Sequence, residues 1–197
     1  MNIAAQPPVQ ADQTIYLKDY QKPSFLVESI HLDIQVYDDH TLVDSTMVMK
    51  RQATGALVFL GRDLELKSIQ LNGQVLGAAQ YQLDSEQLVI IDAPDEVIVQ
   101  TQVIIHPESN TQLEGLYKAG DLFVTQNEPE GFRKITFYPD RPDVLSVFTT
   151  RVEADKKYPV LLANGNLLET GEVGVDRHFA IWQDPTKKPS YLFACVI

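Results

Sequence analysis

The residues that could do chemistry in this sequence are few and far apart. The histidines are His31, His40, His106 and His178, followed by Leu32, Thr41, Pro107 and Phe179, so no His-Glu pair occurs. No two of them stand one helical turn apart, the spacing that lets paired imidazoles on one helix face hold a metal. The single cysteine, Cys195, lies in the apolar run from Tyr191 to Ile197. Burial there would raise the thiol pKa and withhold the thiolate, which reads as a small core residue rather than a nucleophile. There is no glycine-rich phosphate loop. The stretch Thr125-Gln126-Asn127-Glu128-Pro129-Glu130 could bind a ligand, but on its residue types alone it is a solvated acidic loop. Downstream, Arg133, Asp140, Arg141 and Asp143 carry the charges for a bidentate ion-pair network that would fix this loop. Tyr138, Phe132 and Phe137 read as core or interface aromatics.

These residues sit in a chain of 197 residues, 44% hydrophobic and 22% charged, long enough to bury a sizeable core and ordinary for a globular protein. The formal net charge of −11 repels a phosphate backbone and argues against sequence-independent nucleic-acid binding. The acidic residues are spread along the chain, as on a solubility surface; a cleft attracting cationic groups is the sharper alternative. One cysteine permits no internal disulfide and fits a reducing compartment. The start of the sequence lacks the basic and apolar regions of a signal peptide, and no apolar run is long enough for a membrane-spanning helix. The expectation is a cytoplasmic protein with no membrane partner.

Strands must position the candidate residues. Ile30, Leu32, Ile34 and Val36 alternate with His31, Asp33, Gln35 and Tyr37, the period of a half-buried strand. Asp38-Asp39-His40 reads as a turn, and Val43 to Lys50 pairs back as a hairpin. Further strands are expected over 56–60, 64–71, 88–91, 97–105, 148–154, 160–162, 178–183 and 191–197. Asn72-Gly73 is the strongest hairpin signal, since both residues tolerate positive φ. Asn164-Gly165-Asn166 is a second turn. Helix is expected at one place, Pro142 to Phe148, where proline suits the first turn and Val144, Leu145 and Phe148 fall at helical spacing. Many short strands joined by Gly, Asn and Pro turns predict an all-β fold, a saddle-like sandwich of mostly antiparallel strands with little helix. On this pattern alone the chain is equally a stand-alone β-sandwich binding module, for carbohydrate or a protein partner.

Motifs beyond the pattern discriminate. The sequence carries N-T-x-L-E-G-L-Y (Asn110 to Tyr117), E-G-F-R-x-I-T (Glu130 to Thr136) and D-R-P-D-V-L (Asp140 to Leu145). The second of these extends to E-G-F-R-x-I-T-[FY]-Y (Glu130 to Tyr138) and departs from the pattern at its end, where Phe137-Tyr138 precede Pro139; D-Y-x-x-P (Asp19 to Pro23), W-Q-D-P (Trp182 to Pro185) and P-x-Y-L-F-A (Pro189 to Ala194) follow the pattern too. In this order they resemble the N-terminal domain of bacterial aminopeptidase N, a family of gluzincin metallopeptidases. The likeness is weaker between about residues 40 and 108.

The resemblance implies an extended N-terminal segment over 1–22 and a β-domain over 23–197, ending where a thermolysin-like catalytic domain would follow. It implies zinc in the parent enzyme, held by an H-E-x-x-H motif and a distal Glu that this sequence lacks. This segment alone is therefore expected to bind no metal and to be inactive. The implied partners are that catalytic domain and the N-terminus of a peptide substrate. The resemblance also gives roles to Gln126 and Glu128, which in similar enzymes reach the active site, bind the substrate's free α-amino group and line the first side-chain pocket. A carboxylate selects an ammonium over an internal amide by a charge-assisted hydrogen bond, and a neutral Gln adds direction without charge. Asn127 between them and Pro129 after them depart from the family pattern.

Overall fold

The computed structural model describes residues 16–197. The expectation of an extended segment over 1–22 lies mostly outside the described residues; within them, Leu17–Asp19 makes one short 3-10 turn. Tyr20 finds a partner beyond it, donating its hydroxyl to Asp143 Oδ2 at 2.9 Å.

Fifteen strands follow: β1 (Phe25–Val36), β2 (Thr41–Arg51), β3 (Leu57–Leu60), β4 (Glu65–Leu71), β5 (Gln74–Val75), β6 (Tyr81–Leu83), β7 (Gln87–Ile90), β8 (Glu96–Ile105), β9 (Gly115–Ala119), β10 (Leu122–Gln126), β11 (Leu145–Asp155), β12 (Leu162–Ala163), β13 (Asn166–Val173), β14 (Arg177–Pro189) and β15 (Cys195–Val196). They form an eight-stranded sheet ordered β13-β14-β11-β1-β2-β8-β4-β5, a four-stranded sheet ordered β12-β15-β10-β9, and a three-stranded sheet ordered β3-β7-β6. All pairings are antiparallel except β1 with β11. Among the described residues helix is limited to four 3-10 turns, so the all-β expectation holds.

The alternation in β1 does what period two requires: Ile30, Leu32, Ile34 and Val36 are buried. A register shift between Val27 and Ser29 then moves Phe25 and Val27 onto the same inner face despite their odd numbers. The Asn72-Gly73 turn forms with φ of 51° and 78°, both positive as a type I′ hairpin needs. Asn72 also accepts the Ile98 N–H at 2.8 Å, tying the turn to β8. Aliphatic inner faces of all three sheets join in one core, and Phe132 sits at a junction of it. Its ring meets Tyr138, Phe148 and Phe193 edge-on at centroid distances of 5.1, 5.8 and 5.2 Å.

Two expectations need correction. Pro142 to Phe148 is not a helix. Val144 N–H reaches Arg141 O in a turn, and β11 begins at Leu145. The chain there is bonded to β1 on one side and β14 on the other. A helix of seven residues cannot compete with two ladders and an alternating inner face of Ser146, Phe148, Thr150 and Val152. Tyr191 to Ile197 is not a continuous strand either. Ser190–Leu192 is a 3-10 turn and only Cys195–Val196 is strand. Side chains replace the missing ladder: Asn164 accepts Ala194 N–H at 2.7 Å and donates to Leu192 O at 3.1 Å.

Candidate functional site

The loop singled out by the resemblance leaves the four-stranded sheet at the end of β10. Its alternation continues past the strand: Thr125 and Asn127 turn inward, Gln126 and Glu128 outward. Asn127 is buried while both neighbours are exposed. Thr125 Oγ1 accepts the Cys195 N–H at 2.9 Å, and Asn127 Nδ2 donates to Phe193 O at 2.7 Å. The loop closes where Gly131 N–H donates to Asn127 O at 2.9 Å. A Cβ on Gly131 would stand 2.3 Å from Gln126 O and 2.8 Å from Asn127 Cα, so the turn is built around the missing side chain.

Gln126 Nε2 donates to the Glu128 carbonyl at 3.2 Å, which ties the two outward residues together. Among the described residues, no donor reaches Gln126 Oε1 or the Glu128 carboxylate. The other acid of the loop differs: Glu130 Oε2 lies 3.2 Å from Arg133 Nη2. Glu128 is thus the loop's carboxylate without a cation of its own.

The charged residues after the loop form two separate pairs rather than one network, which corrects the expectation. Arg133 holds Asp140 through Nε at 3.0 Å and its main-chain N–H at 3.2 Å, while its Nη2 donates to Asp140 O. Asp140 also accepts the Ser190 hydroxyl at 2.5 Å. The fork-to-fork bidentate pair is Arg141 with Asp143, at 2.8 and 2.7 Å, and it holds the Asp143 carboxyl below its ordinary range. Tyr138 is fully buried, hydrogen-bonded to Ser146 at 2.7 Å, and burial pushes its phenol pKa up. Cys195 is buried and its thiol is pushed up to about 12 by desolvation, which keeps it from acting as a nucleophile.

Two of the histidines, His40 and His106, meet at Asp39, one at its carboxylate and the other at its main-chain carbonyl. His40 stacks on Tyr37 and bonds Asp39; His178 reaches Tyr158 O at 2.8 Å. His106 lies against Glu65 (2.9 Å), Glu108 (3.2 Å) and Asp39 O (3.1 Å), and these acceptors raise its pKa above the ordinary value, the Glu65 bond foremost. A raised histidine adds stability at pH below its unfolded pKa and loses it as pH rises through the folded one. The chain should therefore gain a small His106-dependent increment at about pH 5.5 relative to about pH 8, read as a denaturant midpoint. His106→Asn should abolish that difference; an unchanged difference would assign it elsewhere.

Beside the loop the four-stranded sheet shows an apolar outer face. The register places Leu162, Val196, Val124 and Tyr117 in one row across β12, β15, β10 and β9, and Gln126 continues it two residues along from Val124. Leu162 and Val196 are 43% and 37% exposed, with Leu122 and Leu192 exposed nearby. No strand pattern called for β9 or β10 before the structure, because Lys118 interrupts the inner face beside Phe123 and the two strands are only five residues each.

A β-rich domain that ends one small sheet in a Gln–Glu loop beside an apolar face is the class that fold and site define. Residues 19–192 match the Peptidase M1 N-terminal domain, and the chain belongs to that family. It is 46% identical over 188 residues to aminopeptidase N of Caulobacter vibrioides, covering 93% of this chain and 22% of that protein. The crystal structure of Legionella pneumophila aminopeptidase A in complex with aspartic acid superposes with a TM-score of 0.86 at 31% identity, over 91% of this chain and 22% of that one. An M1 zinc metallopeptidase from Deinococcus radiodurans, crystallised with a Tyr-Ser-Ala substrate, shares the fold with a TM-score of 0.77 at 17% identity. The chain spans about a fifth of the length of the curated relatives it matches and corresponds to their N-terminal domain.

Proposed function

We propose that this chain is the substrate-recognition domain of a zinc-dependent aminopeptidase, and that Glu128 and Gln126 receive the free α-ammonium of a peptide. The observation that carries the reading is the contrast inside one loop: Glu130 lies against Arg133, a cation it shares with Asp140, whereas the Glu128 carboxylate projects outward with its backbone bonded to Gln126. A carboxylate held this way offers a charge-assisted hydrogen bond to an ammonium, about twice as strong as a neutral one. Gln126 Oε1 adds a second, uncharged acceptor and so fixes direction. Zinc and the base that activates water would come from the longer protein. Among the described residues, no three His, Cys, Asp or Glu side chains gather as a metal site. The net charge of −11 and the single buried cysteine fit a cytoplasmic enzyme that draws cationic substrates and avoids nucleic acid. Replacing Glu128 in the longer enzyme tests this reading: slowed hydrolysis of free-amine peptides supports it, and an unchanged rate refutes it.

The apolar row Leu162–Val196–Val124–Tyr117 is the face on which the catalytic domain docks in this reading, because it adjoins Gln126 and would bring the loop to the active site. Expressed as these 197 residues, the chain should self-associate through that face. Sedimentation velocity should show dimers or larger species at high concentration, and replacing Leu162 and Val196 by Glu should return the chain to monomer. An unsubstituted 197-residue chain that stays monomeric throughout and binds no hydrophobic dye would remove this assignment.

A further inference from the structure

Asn127 has no part in the role just given to its neighbours, yet its placement is unusual. It is 2% exposed between two exposed residues. Its Nδ2 donates to Phe193 O at 2.7 Å, which fixes the amide orientation, since the reverse would set two carbonyl oxygens against each other. The consequence is that Asn127 Oδ1 is buried with no partner among the described residues. A buried acceptor left unpaired costs free energy, and an apolar side chain of similar size would avoid the cost. The gain must come from the donor end.

That end grips a segment held by side chains more than by strand pairing. Along 192–195, Asn164 takes Leu192 O and Ala194 N–H from one side. From the other, Asn127 takes Phe193 O, and Thr125 takes Cys195 through both its N–H and O, at 2.9 and 3.3 Å. The inward pair Thr125 and Asn127 therefore anchors the same stretch of chain from which the outward pair Gln126 and Glu128 projects. Gly131 leaves no slack, because its N–H closes on Asn127 O.

We propose that Asn127 is a positioning residue: its bond to the Phe193 carbonyl sets the height and direction at which Gln126 and Glu128 present themselves to a substrate ammonium. This rests on the role proposed for Glu128. Asn127→Leu keeps the side-chain size and removes both polar atoms, so the loop should loosen without leaving a cavity. In the full-length enzyme, kcat/KM for free-amine peptides should fall roughly 5- to 10-fold, with thermal stability little changed. In a Glu128→Gln background the same change should have almost no further effect, because the group it positions is already disabled. Asn127→Asp supplies a rescue: the ionised carboxylate cannot donate to Phe193 O, whereas the protonated acid can, so its deficit relative to wild type should shrink as pH falls. Additive losses in the double variant, a deficit of Asn127→Asp that is independent of pH, or an Asn127→Leu rate within twofold of wild type would overturn the positioning role while leaving that of Glu128 intact. A Glu128→Gln enzyme that matches wild type would overturn both.

Discussion

Glu128→Gln in the longer enzyme should lower kcat/KM for peptides with a free N-terminus roughly 10- to 100-fold. The substitution keeps size and hydrogen-bonding capacity and removes only the charge. Hydrogen bonds to charged partners contribute about 1.5–3 kcal/mol, and each 1.4 kcal/mol is a factor of ten. If the contact is equally strong in ground and transition states, the loss falls in KM; if it aligns the scissile bond with the catalytic groups, it falls in kcat. Metal content should not change, since the loop holds no metal ligand. Nor should the unfolding midpoint of the 197-residue chain move, because the carboxylate is exposed and unbonded among the described residues. An N-acetylated substrate offers no ammonium and should show little sensitivity to the change. A free-amine rate within twofold of wild type would make the loop merely structural.

Asp140→Ala should have the largest effect on the fold itself. Asp140 is 4% exposed and serves Arg133 twice through its carboxylate and Ser190 once. Truncating it strands the Arg133 guanidinium, whose side chain is only 11% exposed and which is left only Glu130 as an anionic partner. Breaking a buried pair from one side costs about 3–5 kcal/mol. At about 2–4 °C per kcal/mol for a domain of this size, the thermal midpoint should drop by roughly 6–20 °C. Asp140→Asn, which keeps one acceptor oxygen for Arg133 and can offer its NH2 to the Ser190 hydroxyl oxygen, should lose less. A loss below about 1 kcal/mol for the alanine variant would show that Arg133 finds a substitute and that the pair does not brace the loop.

How much of this could be read from the residues depends on where the burial lies. The long strands announce themselves because one face is core and the other water: β1 from Ile30 onward and β2 alternate cleanly, and Asn72-Gly73 can do little but turn. What escapes is whatever tertiary contact decides. Phe25 and Val27 join the inner face only through the register shift beside Ser29, which no periodicity foretells. Pro142 to Phe148 has a helical spacing of apolar residues, but β1 and β14 stand ready on either side and take it as strand. The run Tyr191 to Ile197 looks like strand throughout, yet Asn164, Asn127 and Thr125 satisfy much of its backbone with side chains.

The site was legible in a different way. Gln126 and Glu128 are exposed polar residues, and composition offers no reason to prefer them to Glu130 or Asp121; the motifs around them carried that choice. The structure adds the physical distinction, pairing Glu130 with Arg133 and leaving Glu128 unpaired among the described residues. Asn127 stood out only as a departure from a pattern. Its inward direction, its donor bond and its orphaned oxygen are facts of packing, available once Phe193 is seen beneath it.

Whether the Glu128 carboxylate holds a substrate's terminal ammonium would be seen in a crystal structure of the longer enzyme with a bound amino acid. The ammonium nitrogen should lie within about 2.7–3.2 Å of a Glu128 carboxylate oxygen, with Gln126 Oε1 as a second acceptor. An amino acid bound at the active site with its ammonium held by other groups, and Glu128 turned to solvent, would contradict it.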